Sequence, residues 1–468
     1  MDRNNRVVLV YPAKPGESKM PDRPPLGILT VAAPLVEKGM DVTVLDERAE
    51  PDFDMKLSEE LKKGPLCVGV SSMSGSHITG ALRVSKLVKE LSDIPVVWGG
   101  VHASLEPGST IANEFVDIIV RDDGENTFPK LMEMIGASKS DLSGLPGIGF
   151  KKNGEIILTG PGEPANIESV PLIPFGLIDL DNYRSRDLWC EGEKVLPVET
   201  SRGCPFSCSF CTESVRKKKW RALPPERVVE DIKTYIRKYG VTNFTFIDDN
   251  FFGNIKRAES ILDLLIKENV GIKWYTNART DYMARATPAT IEKIERSGCR
   301  MLTFGAESGS ERILKMVNKF ASKEDVLHAN RKLRGLNIIP HFVTIQGFPG
   351  ETKKDTIETI LMNIDILLEN ERAICDSPFL IPTPGTAIAK ECLADKAGEF
   401  TLEDWSRIFE MKNKGRPAWL DGGTYEFLCR WRKVIKLICI TNRAYVPKAL
   451  NALYRALLGG IRVYLKSK

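Results

Sequence analysis

The sequence predicts an α/β protein with an open, mostly parallel sheet, then a (β/α)6 partial barrel, then a helical tail. Short apolar runs alternate with stretches of helical periodicity through the first 160 residues, and the alternation resumes after residue 195. A segment rich in Pro, Gly and Asp separates the two series. We therefore expect four parts: 1–160, a linker at 161–195, 196–400, and a basic helical region at 401–468.

Five apolar runs in the first part are typical of fully buried strands. They are RVVLVY (6–11), VTVLD (42–46), CVGVSS (67–72), IPVVWGG (94–100) and DIIVR (117–121). Between them, segments such as GALRVSKLVKELSD carry apolar residues at spacings of three and four, as amphipathic helices require. IGFKKNGEIIL (148–158) is expected to close the sheet as a hairpin, because Asn-Gly favours a tight turn.

The second part repeats the alternation six times. Its strand candidates are LPVETS (196–201), NFTFID (243–248), KWYTN (273–277), MLTFG (301–305), IPHFVTIQG (339–347) and ICDSPFLIP (374–382). Helical segments such as PPERVVEDIKTYIRKYG separate them. Six βα units in series predict a partial barrel whose functional residues lie at the C-terminal ends of the strands.

The composition is that of a globular enzyme, with 42% hydrophobic and 27% charged residues. No apolar stretch is long enough for a membrane-spanning helix, and the start, MDRNNRVVLVY, lacks the layout of a signal peptide. We therefore expect a cytoplasmic protein whose cysteines are not paired in disulfides.

The net charge of +4 hides an asymmetry, because residues 427–468 contain ten Lys or Arg and no acidic residue. This tail divides near Pro447 into two helix-length segments, each with an apolar stripe and basic residues on its other faces. One interpretation is a peripheral contact with the inner face of the cytoplasmic membrane. The other is packing on the barrel with solvated charges. Nucleic acid binding is not expected of so apolar a tail.

The stretch TSRGCPFSCSFCTES places Cys204, Cys208 and Cys211 just past the first barrel strand. A structural zinc site normally takes four Cys or His ligands, so a zinc site here would need a remote fourth ligand. Three thiolates suit a [4Fe–4S] cluster with one iron left free for an outside ligand, since such clusters are otherwise held by four cysteines.

CPFSCSFC resembles the CxxxCxxC signature of the radical S-adenosylmethionine (SAM) family. Three further segments resemble that family in the expected order: FIDDNFFGN (246–254), GAESGS (305–310) and QGFPGET (346–352). The resemblance implies that SAM chelates the free iron through its amino and carboxylate groups. It also implies that an electron from the cluster cleaves SAM to a 5′-deoxyadenosyl radical.

The same resemblance implies SAM-binding roles for eight residues. They are Phe210, Asp248, Asp249, Asn250, Arg279, Glu307, Ser308 and Gly347. Other interpretations stay open, with Asp248 and Asp249 as helix caps or Glu307 in a surface ion pair. Gly347 is equally typical of a turn.

VGVSSMSG and WGGVHAS, after the third and fourth strands, resemble segments of cobalamin-binding Rossmann-like domains. The resemblance implies cobalamin contacts for Ser71, Ser72, Gly99, Gly100, His102, Gly124 and Glu125. Small residues at strand ends leave room for the nucleotide tail of the cofactor. YPAKPGES stands where domains of the methionine synthase type have DxHxxG, so we expect no histidine ligand below the cobalt. His102 then touches the corrin rim or the tail, or is structural.

Together, the two parts resemble the cobalamin-dependent radical SAM enzymes. The resemblance implies methylation of an unactivated carbon in a hydrophobic (lipid, isoprenoid or pigment) or natural-product substrate. A cyclase or oxidase of the anaerobic chlorophyll-cyclase kind is one alternative, and a non-catalytic iron–sulfur redox sensor is another. We also expect a reductase, flavodoxin or ferredoxin as the electron donor.

Overall fold

The computed structural model describes residues 5–17, 20–139, 141–216, 219–393, 399–408, 416–440 and 448–467. The chain divides into two compact units. The first consists of Met1–Pro197, Thr383–Gly385 and Ala394–Met411, and the second of Val198–Pro382, Thr386–Leu393 and Lys412–Lys468. The first unit therefore includes the stretch 161–195, which we predicted to be a linker, and the four-part division stays a prediction.

The first unit is built on a seven-stranded sheet of order β2-β1-β3-β4-β5-β6-β7. Its strands are β1 (Arg6–Tyr11), β2 (Asp41–Asp46), β3 (Val68–Ser71), β4 (Val96–Gly99), β5 (Ile118–Val120), β6 (Ile148–Lys152) and β7 (Glu155–Leu158). Its first six helices are α1 (Leu26–Glu37), α2 (Phe53–Lys62), α3 (His77–Leu91), α4 (Val101–Leu105), α5 (Pro107–Ala112) and α6 (Gly124–Gly136). Strands β1 to β5 pair in parallel and β6 and β7 pair antiparallel, which confirms the predicted sheet.

The apolar runs form this sheet because its central strands are covered on both faces. The side chains of Val7, Val8 and Val10 in β1 are fully buried, as in a parallel strand between two layers. The turn between β6 and β7 has Asn153 and Gly154 at φ of 53° and 82°. A two-residue hairpin turn of this kind needs positive φ at both central positions, and the predicted hairpin is confirmed.

The second unit contains a six-stranded sheet of order β15-β14-β13-β12-β11-β8. The remaining strands are β8 (Leu196–Val198), β9 (Ser201–Arg202), β10 (Arg221–Ala222), β11 (Asn243–Phe246), β12 (Lys273–Ala278), β13 (Cys299–Glu307), β14 (Ile339–Thr344) and β15 (Ile374–Asp376). Neighbouring strands from β11 to β15 pair in parallel, as expected for a partial barrel. The short antiparallel pair β9–β10 was not predicted.

Helices follow the barrel strands as the βα alternation requires. They are α7 (Thr212–Arg216), α8 (Pro225–Tyr239), α9 (Ile255–Lys267), α10 (Thr280–Arg285), α11 (Pro288–Arg296), α12 (Glu311–Met316), α13 (Lys323–Lys332), α14 (Lys353–Glu369), α15 (Ala387–Leu393), α16 (Leu402–Ser406), α17 (Gly422–Ile440) and α18 (Lys448–Lys466). Of these, α16 lies in the part of the chain that belongs to the first unit, where it packs on α3.

The two faces of the barrel sheet differ in exposure. Phe304 of β13 and Phe342 of β14 stack with ring centroids 5.1 Å apart, and both are fully buried. Thr303 and His341 precede them on the same strands, so they lie on the opposite face, where they are partly exposed. The buried face is the one that the helices cover, and the exposed face is the interior of the partial barrel.

The two C-terminal helices, α17 and α18, both pack on α14. Leu458 and Leu465 of α18 are buried, and Arg462 forms an ion pair of 2.8 Å with Asp365 of α14. Packing on the barrel therefore uses part of the apolar stripe of the tail. The predicted break near Pro447 lies outside the described residues. Within the described part of the chain, no helix is both long and apolar enough to cross a membrane.

Candidate cofactor sites

The three clustered cysteines, Cys204, Cys208 and Cys211, lie on one loop between β9 and α7, which we call the cysteine loop (Gly203–Cys211). Cys208 is buried, and Cys204 and Cys211 are partly exposed. The Cys211 amide donates to the Cys208 carbonyl at 3.0 Å, so the loop is tightly folded. Burial raises the pKa of Cys211 to about 11, and its thiolate therefore needs a nearby cation such as iron.

The chemistry of this donor set fits an iron–sulfur cluster. Among the described residues, no three His, Cys, Asp or Glu side chains converge as ligands of a single metal ion. In a [4Fe–4S] cluster each cysteine binds its own iron atom, so the three thiols need not meet at one point. Cys204, Cys208 and Cys211 would hold three irons and leave the fourth without a protein thiolate.

Asp248, just after β11, is fully buried. Its carboxylate accepts hydrogen bonds from the Thr200 N–H at 2.7 Å and from the hydroxyls of Thr200 and Ser201, each at 2.6 Å. Burial raises the pKa of Asp248 to about 6, although these hydrogen bonds act in the opposite direction. The Asp248 carboxylate thus anchors the chain that leads into the cysteine loop, and its contact with SAM stays a prediction.

The next two residues do meet the cysteine loop. Asp249 accepts a hydrogen bond from the Gly203 N–H at 2.8 Å, and Asn250 Nδ2 lies 3.9 Å from Cys204 Sγ. Asn250 is buried, and its Oδ1 has no hydrogen-bond partner among the described residues. Because buried polar atoms are normally paired, a free acceptor beside a cysteine is suited to a ligand that donates hydrogen bonds.

Arg279, after β12, reaches the cysteine loop through Phe206. Its guanidinium carbon lies 3.6 Å from the centre of the Phe206 ring, and its Nε donates to Asp281 at 2.9 Å. The residue is 7% exposed, yet its Nη2 has no partner in the part of the chain that the structure describes. A buried guanidinium N–H of this kind is suited to a carboxylate.

Glu307, at the end of β13, forms a buried ion pair in which its Oε1 lies 2.8 Å from Lys319 Nζ. Glu307 therefore does form an ion pair, as the alternative interpretation proposed, but the pair is buried and does not lie on the surface. Glu307 has a φ of +58°, which residues with side chains adopt rarely, so its surroundings must hold it there. A Cβ on Gly305 would lie 2.4 Å from the same Oε1, so the carboxylate needs a glycine beside it.

Ser308 is packed against α14. Its Oγ lies 2.9 Å from Thr359 Oγ1, which also accepts the Gly309 N–H at 2.9 Å. A Cβ on Gly309 would lie 2.4 Å from the Glu358 carbonyl oxygen, so the loop can approach the helix only with glycine there. Ser308 thus takes part in packing this loop on α14, and its contact with SAM stays a prediction.

The loop after β14 is organised by Glu351, a residue that we did not predict. Its carboxylate accepts the N–H groups of Gly347 at 2.6 Å and Phe348 at 3.0 Å. Gly347 has a φ of +81°, and a Cβ there would lie 3.1 Å from the Phe379 ring. The Phe348 ring centroid is 5.9 Å from that of Phe210, which joins this loop to the cysteine loop.

In the first unit, a cavity of ≈ 430 Å³ opens at the C-terminal ends of β1 and β3. Three predicted cobalamin contacts, Ser71, Ser72 and Gly100, line it together. Tyr11 and Arg48, which we did not predict, also line it, and the Arg48 guanidinium lies 4.1 Å from the Tyr11 ring centre. A cleft with small side chains at this edge of a parallel sheet is the usual ligand position in such folds, so these residues fit cobalamin.

Four other predicted cobalamin contacts are not among the lining residues of this cavity: Gly99, His102, Gly124 and Glu125. His102 is fully buried, with its Nδ1 3.0 Å from Ser74 Oγ and its ring edge-on to Trp405 at 6.2 Å. Burial lowers the pKa of His102 to about 4. His102 thus has partners within the first unit, as its structural interpretation requires, and its contact with cobalamin stays a prediction.

A second histidine of the first unit, His77, was not among the residues that we predicted to contact cobalamin. It begins α3 and is buried, with its ring centroid 4.9 Å from that of Tyr11. Neither ring nitrogen has a hydrogen-bond partner among the described residues, and burial lowers its pKa to about 3. His77 is thus an uncharged residue behind one wall of the cavity.

Known families match both units. The "Radical SAM superfamily" matches residues 198–362, and the "B12 binding domain" matches residues 20–132. An uncharacterised methyltransferase of Pyrococcus horikoshii is 29% identical over 380 residues, which are 80% of this chain and 79% of that protein. The anaerobic magnesium-protoporphyrin IX monomethyl ester cyclase of a Synechocystis species is 27% identical, over 76% of this chain and 71% of that protein.

A solved structure shares the fold. The radical SAM methyltransferase TsrM from Kitasatospora setae, with cobalamin and a [4Fe–4S] cluster bound, superposes with a TM-score of 0.68 at 20% identity. The match covers 85% of this chain and 76% of that one. The two family matches fall on the two units in the predicted order, so the chain combines a B12-binding domain with a radical SAM domain, as the resemblance to the cobalamin-dependent radical SAM enzymes implies.

Proposed function

We propose that this protein methylates an unactivated carbon of a small molecule with the help of a [4Fe–4S] cluster, SAM and cobalamin. One observation carries the proposal. Asn250 and Arg279 both reach the three-cysteine loop, and each has a buried polar atom without a partner among the described residues. The similarity to a methyltransferase of Pyrococcus horikoshii supports methylation as the outcome.

When bound, the cluster supplies an electron to the sulfonium of SAM, and cobalamin supplies a methyl group for transfer to carbon. We assign Cys204, Cys208 and Cys211 as the cluster ligands. Arg279 Nη2 would donate to the carboxylate of SAM, and Asn250 Oδ1 would accept from its ammonium group.

Neighbouring residues orient these groups. The Phe206 ring holds the Arg279 guanidinium by a cation–π contact. Phe210 and Phe348 form an apolar wall beside the cysteine loop, which would limit the access of water to bound SAM. In the first unit, Ser71, Ser72 and Gly100 would contact cobalamin in the cavity that they line.

The test is anaerobic reconstitution of the full chain with iron, sulfide and cobalamin, then reduction with SAM that carries a deuterated methyl group. Small-molecule extracts of cells that lack this gene would serve as the substrate source. We expect 5′-deoxyadenosine and a product that carries the labelled methyl group. Cys208→Ala should abolish both, whereas Cys429→Ala, at an exposed cysteine outside the loop, should not. Formation of 5′-deoxyadenosine by the Cys208→Ala variant would contradict the proposal.

One observation favours a second outcome, which is cyclisation or oxidation of the substrate. The Synechocystis cyclase is 27% identical to this chain, nearly as similar as the methyltransferase at 29%. The labelled methyl group separates the two outcomes. A product that lacks the label but has lost hydrogen supports the cyclase or oxidase.

We infer that a reductase, flavodoxin or ferredoxin donates the electron, because the cycle needs a one-electron reductant. A flavodoxin with its reductase and NADPH should replace a chemical reductant in the assay above. A rate no higher than that without flavodoxin would contradict this inference for the flavodoxin.

We also propose that α18 touches a lipid surface and that the substrate is hydrophobic. Leu453, Leu457 and Tyr464 follow one side of α18 and are 68%, 48% and 53% exposed. A helix face of this kind is suited to the headgroup region of a membrane. Electrostatic attraction would be modest, because Arg462 pairs with Asp365 at 2.8 Å and Arg455 lies 3.9 Å from Glu371.

A further inference from the structure

Three polar side chains form a continuous chain across β13, β14 and β15. Thr303 Oγ1 lies 3.1 Å from His341 Nδ1, and His341 Nε2 lies 2.9 Å from Asp376 Oδ2. A carboxylate only accepts hydrogen bonds, so Nε2 carries a proton, and the Thr303 hydroxyl is the hydrogen-bond partner of Nδ1. Both ring nitrogens are therefore occupied, and the imidazole is fixed between its neighbours.

A second polar pair lies beside this chain on the neighbouring strand, β12. Asn277 is the register partner of Thr303, and Thr303 is the register partner of His341, so the three side chains lie on one face. Tyr275, two residues before Asn277, shares the face and donates from its hydroxyl to Asn277 Oδ1 at 3.1 Å. We call Tyr275, Asn277, Thr303, His341 and Asp376 the polar row.

The polar row lies on the interior face of the barrel. The opposite face carries Phe304 and Phe342, which are fully buried on the helix side. Barrel interiors are normally filled by layers of branched apolar side chains, which exclude water. Here the side chains of His341 and Asp376 keep 15% and 55% of their surface exposed, so the interior remains open to solvent at this level.

The most exposed group of the polar row, the Asp376 carboxylate, is a hydrogen-bond acceptor. His341 is saturated by its two neighbours, and the Asp376 carboxylate keeps more than half of its surface exposed with its second oxygen available. Ionised acceptors form their strongest hydrogen bonds with O–H and N–H donors. His341, locked from both sides, keeps the carboxylate in one orientation.

We propose that the polar row is a substrate subsite that binds a hydrogen-bond-donating group, a hydroxyl or an ammonium, through Asp376. This inference rests on the proposed function and adds to it a substrate class. The substrate is not a pure hydrocarbon, because it carries a polar donor that enters the barrel interior. In this arrangement His341 is a positioning residue for Asp376.

The test uses the full reconstituted chain with ¹³C-labelled histidine Cε1, because the protein has four histidines and so gives four signals. His341→Gln identifies the signal of His341. Three probes share one ring: 1,2-cyclohexanediol, cyclohexylammonium and cyclohexanecarboxylate. We expect saturable shifts of the His341 signal with the diol or the ammonium probe and none with the carboxylate. Whichever of the diol and the ammonium probe binds more tightly identifies the kind of donor that the subsite prefers.

Asp376→Asn should weaken that binding about tenfold or more, the usual loss for a hydrogen bond to a charged group. His328, which lies 3.2 Å from Glu324 on the surface, provides the matched control. Glu324→Gln should leave the probe response of His341 unchanged.

A saturable shift with the carboxylate probe, equal binding by the Asp376→Asn variant, or no saturable shift with any probe would each overturn the subsite. The titration needs no turnover. A negative titration would therefore contradict only the subsite. Failure of the wild-type chain to form 5′-deoxyadenosine would instead contradict the proposed function.

Discussion

The Arg279 guanidinium carbon lies 3.6 Å from the centre of the Phe206 ring, and this contact joins the end of β12 to the cysteine loop. Arg279 shares the carboxylate of Asp281 with Arg285, each at 2.9 Å. The Arg279 side chain is 9% exposed, whereas that of Arg285 is 71% exposed. The two arginines therefore offer a matched pair in which one meets the cysteine loop and the other faces solvent.

We expect Arg279→Lys to weaken SAM binding about tenfold or more while the cluster still assembles. Lysine keeps the charge but loses the planar fork that suits both a carboxylate and an aromatic ring. Equilibrium dialysis of SAM and the iron content per chain measure the two effects separately. Arg285→Lys should change neither. If Arg279→Lys loses iron along with SAM, Arg279 supports the loop and is not a SAM contact.

Asp248 makes stability depend on pH. Its folded pKa of about 6 is above its ordinary value of 3.8, because burial disfavours the charged form. Below pH 3.8 the Asp248 carboxyl group is protonated in both the folded and the unfolded protein, and the stabilisation that comes from its raised pKa is fully present. That stability is lost as the pH rises through about 6.

Between pH 5 and pH 7.5, we therefore expect the free energy of unfolding of the wild type to fall by about 1–2 kcal/mol more than that of Asp248→Asn. The asparagine cannot ionise, and its amide can still accept from the Thr200 N–H. Anaerobic denaturant titration at both pH values measures the difference. Asp248→Ala should destabilise at both, because three buried donors lose their acceptor. A difference between wild type and Asp248→Asn that is independent of pH would show that Asp248 ionises normally.

The buried pair Glu307–Lys319 should behave as a unit. Lys319→Met would leave the Glu307 carboxylate buried without its cation, and we expect a loss of about 3–5 kcal/mol in unfolding free energy. Adding Glu307→Gln should recover about half of this loss or more, because no buried charge remains. Denaturant unfolding of the wild type, both single variants and the double variant measures the coupling. Additive effects would mean that the pair is not coupled.

Ser71→Leu should abolish cobalamin binding without unfolding the protein. The leucine would fill part of the cavity that Ser71 lines at the end of β3. Gly108→Ala is the control, because Gly108 does not line the cavity and a Cβ there meets nothing within 4 Å. Visible absorption of protein-bound cobalamin after gel filtration gives the result. Retention of cobalamin by Ser71→Leu would remove this cavity as the binding site.

The exposed stripe of α18 gives a test of the lipid contact. We expect the double variant Leu453→Glu/Leu457→Glu to sediment less with anionic vesicles than the wild type does, because charges replace its apolar contacts. Leu91→Glu, at a leucine of α3 that is 50% exposed, is the control and should sediment like the wild type. Equal sedimentation of all three proteins would rule out α18 as a membrane contact.

The sequence by itself determined the local elements and the cysteine loop. Buried parallel strands are continuous apolar runs, and a turn with positive φ at both positions favours Asn153 followed by Gly154. Both features depend on residues that are neighbours in the chain, so the sequence is enough to predict them. The cysteines are contiguous in the chain, so their grouping needs no tertiary information. The pair β9–β10 was missed because strands of two residues are too short to show a period.

Tertiary structure decided which neighbouring side chains face the site. Asp248 turns to Thr200 and Ser201, whereas Asn250 meets Cys204, and no periodicity separates such close residues in a loop. The partnership of His341 with Asp376 likewise depends on the register of β14 against β15. Register is set by the packing of the whole sheet, so contacts between distant residues cannot be derived from the pattern of one strand.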